Sequence, residues 1–329
     1  MISKLEILSM SFAVRVMISS NHHKQRQGYS LIELMIAVSL TIFIITILNK
    51  TLIKTAKFME EIKAVGNLLQ TGQYLASFLA NEVSVAGFYG EFERSLILDS
   101  IGSDSTLPDI CQTLSKENIT QSMPYAISGK NNVIKGYRVC AGESLKPGTD
   151  VVLVRRVSVQ KLKSNSKLKS GEYYIQSLPD SFDVLLGSGS AAPQKINTVS
   201  TRQWQQTIYY LSKDNVFKRR RYLKGRYAPA EPLAEAIYDF QLEYGLRKTA
   251  ISGDCILSNG LDFIAAPLTA DQWQQVMAVR IYLLLKDSWQ QSDQPKTVLS
   301  YADQQVEIVK GEIHKLLTIT IPIKNLLQR

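Results

Sequence analysis

Lys24-Gln25-Arg26-Gln27-Gly28-Tyr29-Ser30-Leu31-Ile32-Glu33-Leu34-Met35 opens a run that stays predominantly apolar to Leu48 and carries one charge, Glu33. At about 1.5 Å per residue, a helix over 29–48 covers roughly 30 Å, the thickness of a hydrocarbon core. A secretory signal has a shorter apolar stretch with a small-residue cleavage site behind it. Here the basic segment and the glycine come first, so a cut after Gly28 leaves the helix on the mature chain. Lys24 and Arg26 precede the run and Lys50, Lys54 and Lys57 follow it, so positive charge does not set its orientation. Glu33 stands about 6 Å into the helix, where a carboxylate can snorkel to the headgroups at modest cost.

The 329 residues suit one membrane anchor and one large domain. The net charge is +9, and the residues through Gly28 hold four basic groups and one acidic group. The remaining +6 is mildly basic, short of a nucleic-acid-binding extreme. His22 and His23 precede Gly28, so His314 is the one histidine after it, which argues against histidine catalysis and multi-histidine metal sites. No nucleophile motif, phosphate loop or metal spacing is present, so neither an enzyme nor a cofactor is implied. An apolar patch between Leu8 and Val14 is broken by Arg15 and is too short to span. A start at Met17 would shorten the leader to 12 residues.

Beyond Leu48, the positions Phe58, Ile62, Val65, Leu69, Gly72, Leu75, Leu79 and Val83 recur at helical steps and give one apolar face. One helix over 29–86 is predicted, with Gly87 and Gly90 as stop signals. Residues 91–149 read as irregular, and Asp99, Asp104 and Asp109 as solvated loop aspartates without calcium-loop spacing. Strands are predicted over 151–154, 206–211, 216–223, 237–244, 276–286 and 316–323, with a hairpin at Ser212-Lys213-Asp214-Asn215. Residues 187–200 read as a flexible connection. A long helix followed by antiparallel strands predicts an α+β fold, the helix packed on a sheet.

The junction at Gly28 resembles the processing site of type IV prepilins. The resemblance implies cleavage by a prepilin peptidase between Gly28 and Tyr29 and methylation of the new Tyr29 N-terminus. It also makes Glu33 an assembly residue that pairs with an α-amino group. Tyr29 replaces the usual Phe. Further along, Ala86-Gly87-Phe88-Tyr89-Gly90, Gly148-Thr149-Asp150 and the strand ending in Arg155-Arg156 resemble the PilW family of minor pilins. So do Tyr209-Tyr210, Phe217-Lys218-Arg219 and the segments 236–245 and 273–285. Glu91-Phe92 departs from that family, in which a cysteine often follows the helix-ending glycine.

That likeness implies a leader over 1–28, a transmembrane helix half over 29–48, an amphipathic half over 49–90 and a β-rich periplasmic domain over 91–329. It implies an inner-membrane protein that joins other minor pilins and the major pilin to start or cap a type IV pilus. A J-type pseudopilin of type II secretion and a ligand- or DNA-binding pilus-tip protein are the alternatives. In an oxidising periplasm two of Cys111, Cys140 and Cys255 are expected to pair. Cys111 and Cys140 are closest in sequence; a bridge to Cys255 and three buried thiols are the other arrangements. The basic run Lys218-Arg219-Arg220-Arg221, with Lys224 and Arg226, invites a phosphate-binding reading. Strand alternation splits its charges between two faces, which argues against nucleic acid and for an edge strand guarded by charge. Arg155-Arg156 reads as a strand end reaching solvent or acidic partners.

Overall fold

The structure, a computed structural model, describes residues 28–92, 107–163, 166–190, 200–252, 255–266, 268–287, 296–309 and 312–326; for 248–259 and 326 it describes the backbone alone. The chain divides into two units, Met1–Lys57 and Phe58–Arg329, and helix α1, Leu31–Ser84, begins in the first.

In the first unit α1 is exposed on every side, and an 18-residue window of the helix reaches a mean hydropathy of 2.6. Its hydroxyls are satisfied within the helix. Ser39 donates to Ile36 O (2.8 Å), Thr41 to Ala37 O (2.7 Å), Thr46 to Ile42 O (2.8 Å) and Thr51 to Ile47 O (3.0 Å). Such back-bonding lets hydroxyls sit where no water can hydrate them.

In the second unit α1 turns one face inward. Ala64, Leu68, Gly72, Leu75, Leu79 and Val83 are buried at three- and four-residue steps. The predicted face holds from Gly72 to Val83 only: before it the helix seats one residue earlier, on Ala64 and Leu68, and Phe58, Ile62 and Leu69 stay exposed. A Cβ on Gly72 would lie 3.3 Å from Leu285 Cδ1 and 3.4 Å from Leu317 Cδ2, so the missing side chain permits a close approach to the sheet below. The helix stops before Gly87, whose φ of +69° suits glycine.

Eight strands form the first sheet: β1 Ile127–Lys130, β2 Val151–Val157, β3 Tyr173–Ser177, β4 Phe182–Leu186, β5 Ser200–Leu211, β6 Phe217–Leu223, β7 Arg226–Tyr227 and β8 Glu231–Ala234. The 12-residue β5 organises it, pairing with β2 along one side and with β3 and then β6 along the other. The second sheet has the order β10-β9-β11-β14, from β9 Ile237–Ser252, β10 Cys255–Ile264, β11 Val276–Lys286 and β14 His314–Pro322, all antiparallel. Between β11 and β14 in sequence, β12 Thr297–Tyr301 and β13 Gln304–Ile308 form a separate hairpin. One core joins the inner face of α1 to Tyr209, Phe217, Phe240, Ile281 and Leu283 from both sheets. A second core lies on the first sheet under residues 107–145 and centres on Leu153, Ile175, Trp204 and Ile208.

The predicted α+β class is what forms, and five further local expectations change. Residues 91–149 contain helix α2, Lys116–Ser122, and strand β1; each is too short to print a period, and Gly129 disguises the strand. That glycine is required, because a Cβ there would stand 2.3 Å from the Tyr244 hydroxyl and 2.5 Å from Val151 O. Strand β2 runs past Val154 to Val157, so Arg155 is interior, 1% exposed, and not a strand end in solvent. Strand β6 is no edge, since β5 flanks one side and β7 and β8 the other. Ser200 belongs to β5, and 191–199 of the expected connection lie outside the described residues. The β9–β10 ladder extends past the predicted strand end at 244. Helix α3, Ala270–Gln274, precedes β11 with a Thr269/Gln272 capping box that supplies both end groups.

Candidate functional site

The N-terminal segment meets none of the constraints that usually fix a residue in a fold. Gly28 has no positive φ among the described residues, and a Cβ added to it would meet nothing within 4 Å. Tyr29 is 85% exposed. Ser30 O accepts from Glu33 N (3.0 Å) and Leu34 N (3.2 Å), closing the first turn of α1. Glu33 stands exposed in that turn, where the helix dipole favours a carboxylate. Folding asks for none of Gly28, Tyr29 or Glu33 in particular. Residues 1–27 of the expected leader lie outside the described residues.

The buried half of α1 is tied to the first sheet by a carboxylate that its apolar pattern does not announce. Glu82 accepts from Tyr209 OH (2.9 Å) and from Arg156 Nη2 (3.2 Å). Beyond the helix, Gly87 N donates to Arg155 O (2.9 Å) and Val157 N to Phe88 O (2.8 Å), so residues 87–88 lie beside the end of β2. Tyr89 stacks on Trp204 at 5.8 Å and donates to Met123 O (2.6 Å). At the position where the resembling family often has cysteine, Glu91 binds Lys161 (2.6 Å), Arg202 (3.3 Å) and the Ser177 and Ser200 hydroxyls. An ionic node thus fixes the helix exit to β3 and β5.

Arg155 and the residues Lys218 to Arg221 each have partners within the domain. Arg155 Nη1 donates to Tyr125 O (3.0 Å) and Ser128 Oγ (2.9 Å) inside the domain. Lys218 pairs with Glu143 (2.6 Å), and Arg219 (2.9 Å) and Arg221 (2.6 Å) share Glu231. Arg220 turns inward, donating to Val139 O (2.8 Å) and Ala228 O (2.9 Å). The alternation read from the sequence holds, and each of the four charges has a structural partner.

Cys111 and Cys140 form a disulfide with a Cα–Cα distance of 4.8 Å, and Asp109 Oδ1 accepts from Cys111 N (2.7 Å) beside it. The expected state of the Cys255 thiol lies outside the described side chains; its backbone opens β10 opposite Ser252. Asp99 and Asp104 also lie outside the described residues. Among the described residues no group of three or more His, Cys, Asp or Glu is placed to hold a metal ion.

The two sheets meet at a pair of buried carboxylates. Asp150, at the Gly148-Thr149-Asp150 turn into β2, accepts from Asn132 N (2.9 Å) and from Leu242 N of β9 (2.8 Å). Asp239 accepts from Tyr301 OH (2.6 Å) and Gln241 Nε2 (3.0 Å). Burial pushes the Asp150 carboxyl up to about 8, with smaller pushes from Asp303 and Asp239, against two backbone N–H donors that favour the anion. Burial raises Asp239 too. An unfolded Asp titrates near ~3.9, so the folded state holds extra protons between that value and about 8. This contribution to stability is fully present at low pH and is lost as pH rises through the folded pKa. Burial depresses His314, which confines its opposing effect below its ordinary value of 6.5. Between about pH 8.5 and 6.5 the unfolding free energy should therefore rise as pH falls, by on the order of 1–2 kcal/mol. Denaturant titrations across that window test this, and Asp150→Asn should flatten the slope; a slope unchanged in the variant would remove Asp150 as its source.

Compared with known proteins, the chain matches no curated sequence. Among solved structures it is similar to a Type IV-like pilin from Thermus thermophilus, with 12% identity over 79% of this chain and 96% of that one, at a TM-score of 0.33, too distant to bear on function. A family match falls on residues 208–325, which run from the end of β5, through the Lys218–Arg221 strand and both sheets, to the turn after β14. Over those residues the chain matches the PilW family, described as Type IV Pilus-assembly protein W, the family that its motifs resemble.

Proposed function

We propose that this chain is a minor pilin, cut by a prepilin peptidase between Gly28 and Tyr29, that helps to start type IV pilus assembly with other minor pilins and the major pilin. The observation that carries the reading is the N-terminal segment: an unconstrained Gly28, then at once a fully exposed apolar helix whose hydroxyls are satisfied internally and whose one charge is Glu33. A glycine that folding does not need suits recognition by another protein. The helix suits an inner-membrane anchor with the domain on the periplasmic side, and the Cys111–Cys140 disulfide suits an oxidising compartment.

Mass spectrometry of the protein from a peptidase-positive host should find Tyr29 as the first residue, with a methyl group on its amine. Recovery of a chain that retains residues before Tyr29 from such a host would refute the processing. Glu33→Gln should leave membrane insertion unchanged, because it removes a charge from the apolar run. It should reduce co-purification with other pilins several-fold, since the carboxylate that would neutralise an α-amino group at low dielectric is gone. Equal recovery of partners would leave Glu33 a snorkelling residue and no more.

A further inference from the structure

Strand β14 ends the second sheet, and among the described residues nothing but β11 pairs with it. At about 3.4 Å per residue its nine residues present roughly 30 Å of main-chain N–H and C=O groups. The stretch Leu316-Leu317-Thr318-Ile319-Thr320-Ile321 holds no charge, glycine or proline and is rich in β-branched residues. Such an edge recruits another strand unless something guards it. The other edges of the two larger sheets are guarded. There β1 has four residues and Lys130, β4 carries Asp183, β7 has two residues and β8 carries Pro232. Strand β10 has Asp262 and a bulge between Ser258 and Leu261. Burial along β14 is also incomplete. Its helix-side residues Leu317 and Ile319 are only half-buried, whereas Leu283 and Ile281, opposite them on β11, are fully buried. On the other side Leu316, Thr318 and Thr320 stand exposed.

Resting on the reading of the chain as a pilin, we infer that β14 is a docking edge that takes an extended strand from a different pilin by main-chain pairing. The strand it fits carries aliphatic residues on the α1 side, next to Leu317 and Ile319, and uncharged small or hydroxyl residues beside Thr318 and Thr320. A second copy of this chain does not fit the same edge. Antiparallel pairing of β14 with itself needs a twofold axis normal to the sheet, which reverses every direction in the sheet plane. Helix α1 lies along that sheet, with Gly72 over Leu285 and Leu317, so two such copies would run their α1 segments in opposite directions. Chains anchored in one membrane share a direction. A parallel pair about an axis along the strand sets N–H against N–H at equal heights and forms no ladder.

The test purifies the full chain in detergent from a pilus-producing host and identifies the pilins it retains by mass spectrometry. Thr318→Lys/Thr320→Lys puts two charges on the exposed row, and the loss of two cross-strand pairs should cut recovery of one other pilin roughly tenfold. Thr318→Glu/Thr320→Glu should act alike, since charge of either sign guards an edge. Ser300→Lys/Gln305→Lys, with the same added charge on exposed residues of β12 and β13, should recover the pilin as the parent does. Hydrogen exchange reads the pairing itself. In the complex, the amides of 315–321 that face away from β11 should slow by on the order of tenfold or more, while protection in β9 and β11 shows that each variant is folded. Equal recovery with all variants, or a partner retained without slowing of those amides, would overturn the edge and leave the pilin reading standing. So would loss of a differently tagged copy of this chain, rather than of another pilin, from the β14 variants. Recovery of no pilin by the parent would overturn both.

Discussion

Leu79→Ala is expected to lower the unfolding free energy of the domain by about 3 kcal/mol, within the usual range of roughly 2–5 kcal/mol for emptying a packed leucine site. Leu79 is fully buried on the inner face of α1, in the core that also holds Tyr209, Phe240 and Leu283. Neighbouring strands cannot close the space readily, because their registers are fixed on both sides, β9 and β11 in one sheet and β2 and β5 in the other. Leu69, in the same helix but 46% exposed, is the matched control, and Leu69→Ala should cost well under 1 kcal/mol. Urea denaturation followed by tryptophan fluorescence reads both, since Trp204 and Trp273 lie in the two cores. Equal losses in the two variants would mean that the helix does not seat on the sheets by this face.

Removing the disulfide should cost about as much. Cys111 and Cys140 are 29 residues apart, and closing a loop of that size restricts the unfolded chain by about 3.5 kcal/mol. The loop holds α2 and β1, whose short lengths give them little stability of their own. Cys111→Ser/Cys140→Ser should therefore raise hydrogen exchange across 112–139 before it affects β9 or β11. Uniform acceleration over the whole domain would instead make the bridge part of the global fold.

The sequence carries the frame of this molecule because its signals are long. The apolar run after Gly28, the helical step from Gly72 to Val83 and the alternation from Val276 to Lys286 each repeat often enough to stand out. The Ser212-Lys213-Asp214-Asn215 turn is legible because its residue types fit the backbone; Asn215 adopts a φ of +60°. What stays hidden is set by contacts between distant segments. Glu82 looks like a solvent residue on an amphipathic helix until Arg156 and Tyr209 meet it. Arg155 looks like a strand end until β1 supplies Ser128. Of the candidate site, Gly28, Tyr29 and Glu33 were legible for the opposite reason: no fold contact explains them, and their pattern alone singles them out.

The Cys111–Cys140 bridge also has a meaning under load. If the chain is built into a filament as proposed, it is pulled along its length, and tension extends whatever segment is free to unravel. The covalent link shunts that tension past the 29-residue interval between the two sulfurs. Even after the strands around it part, roughly 100 Å of contour stays folded out of reach, at about 3.4 Å per residue. In an oxidised chain the interval acts as stored slack that force cannot draw on, and a reductant would release it as a single added length in a stretching trace.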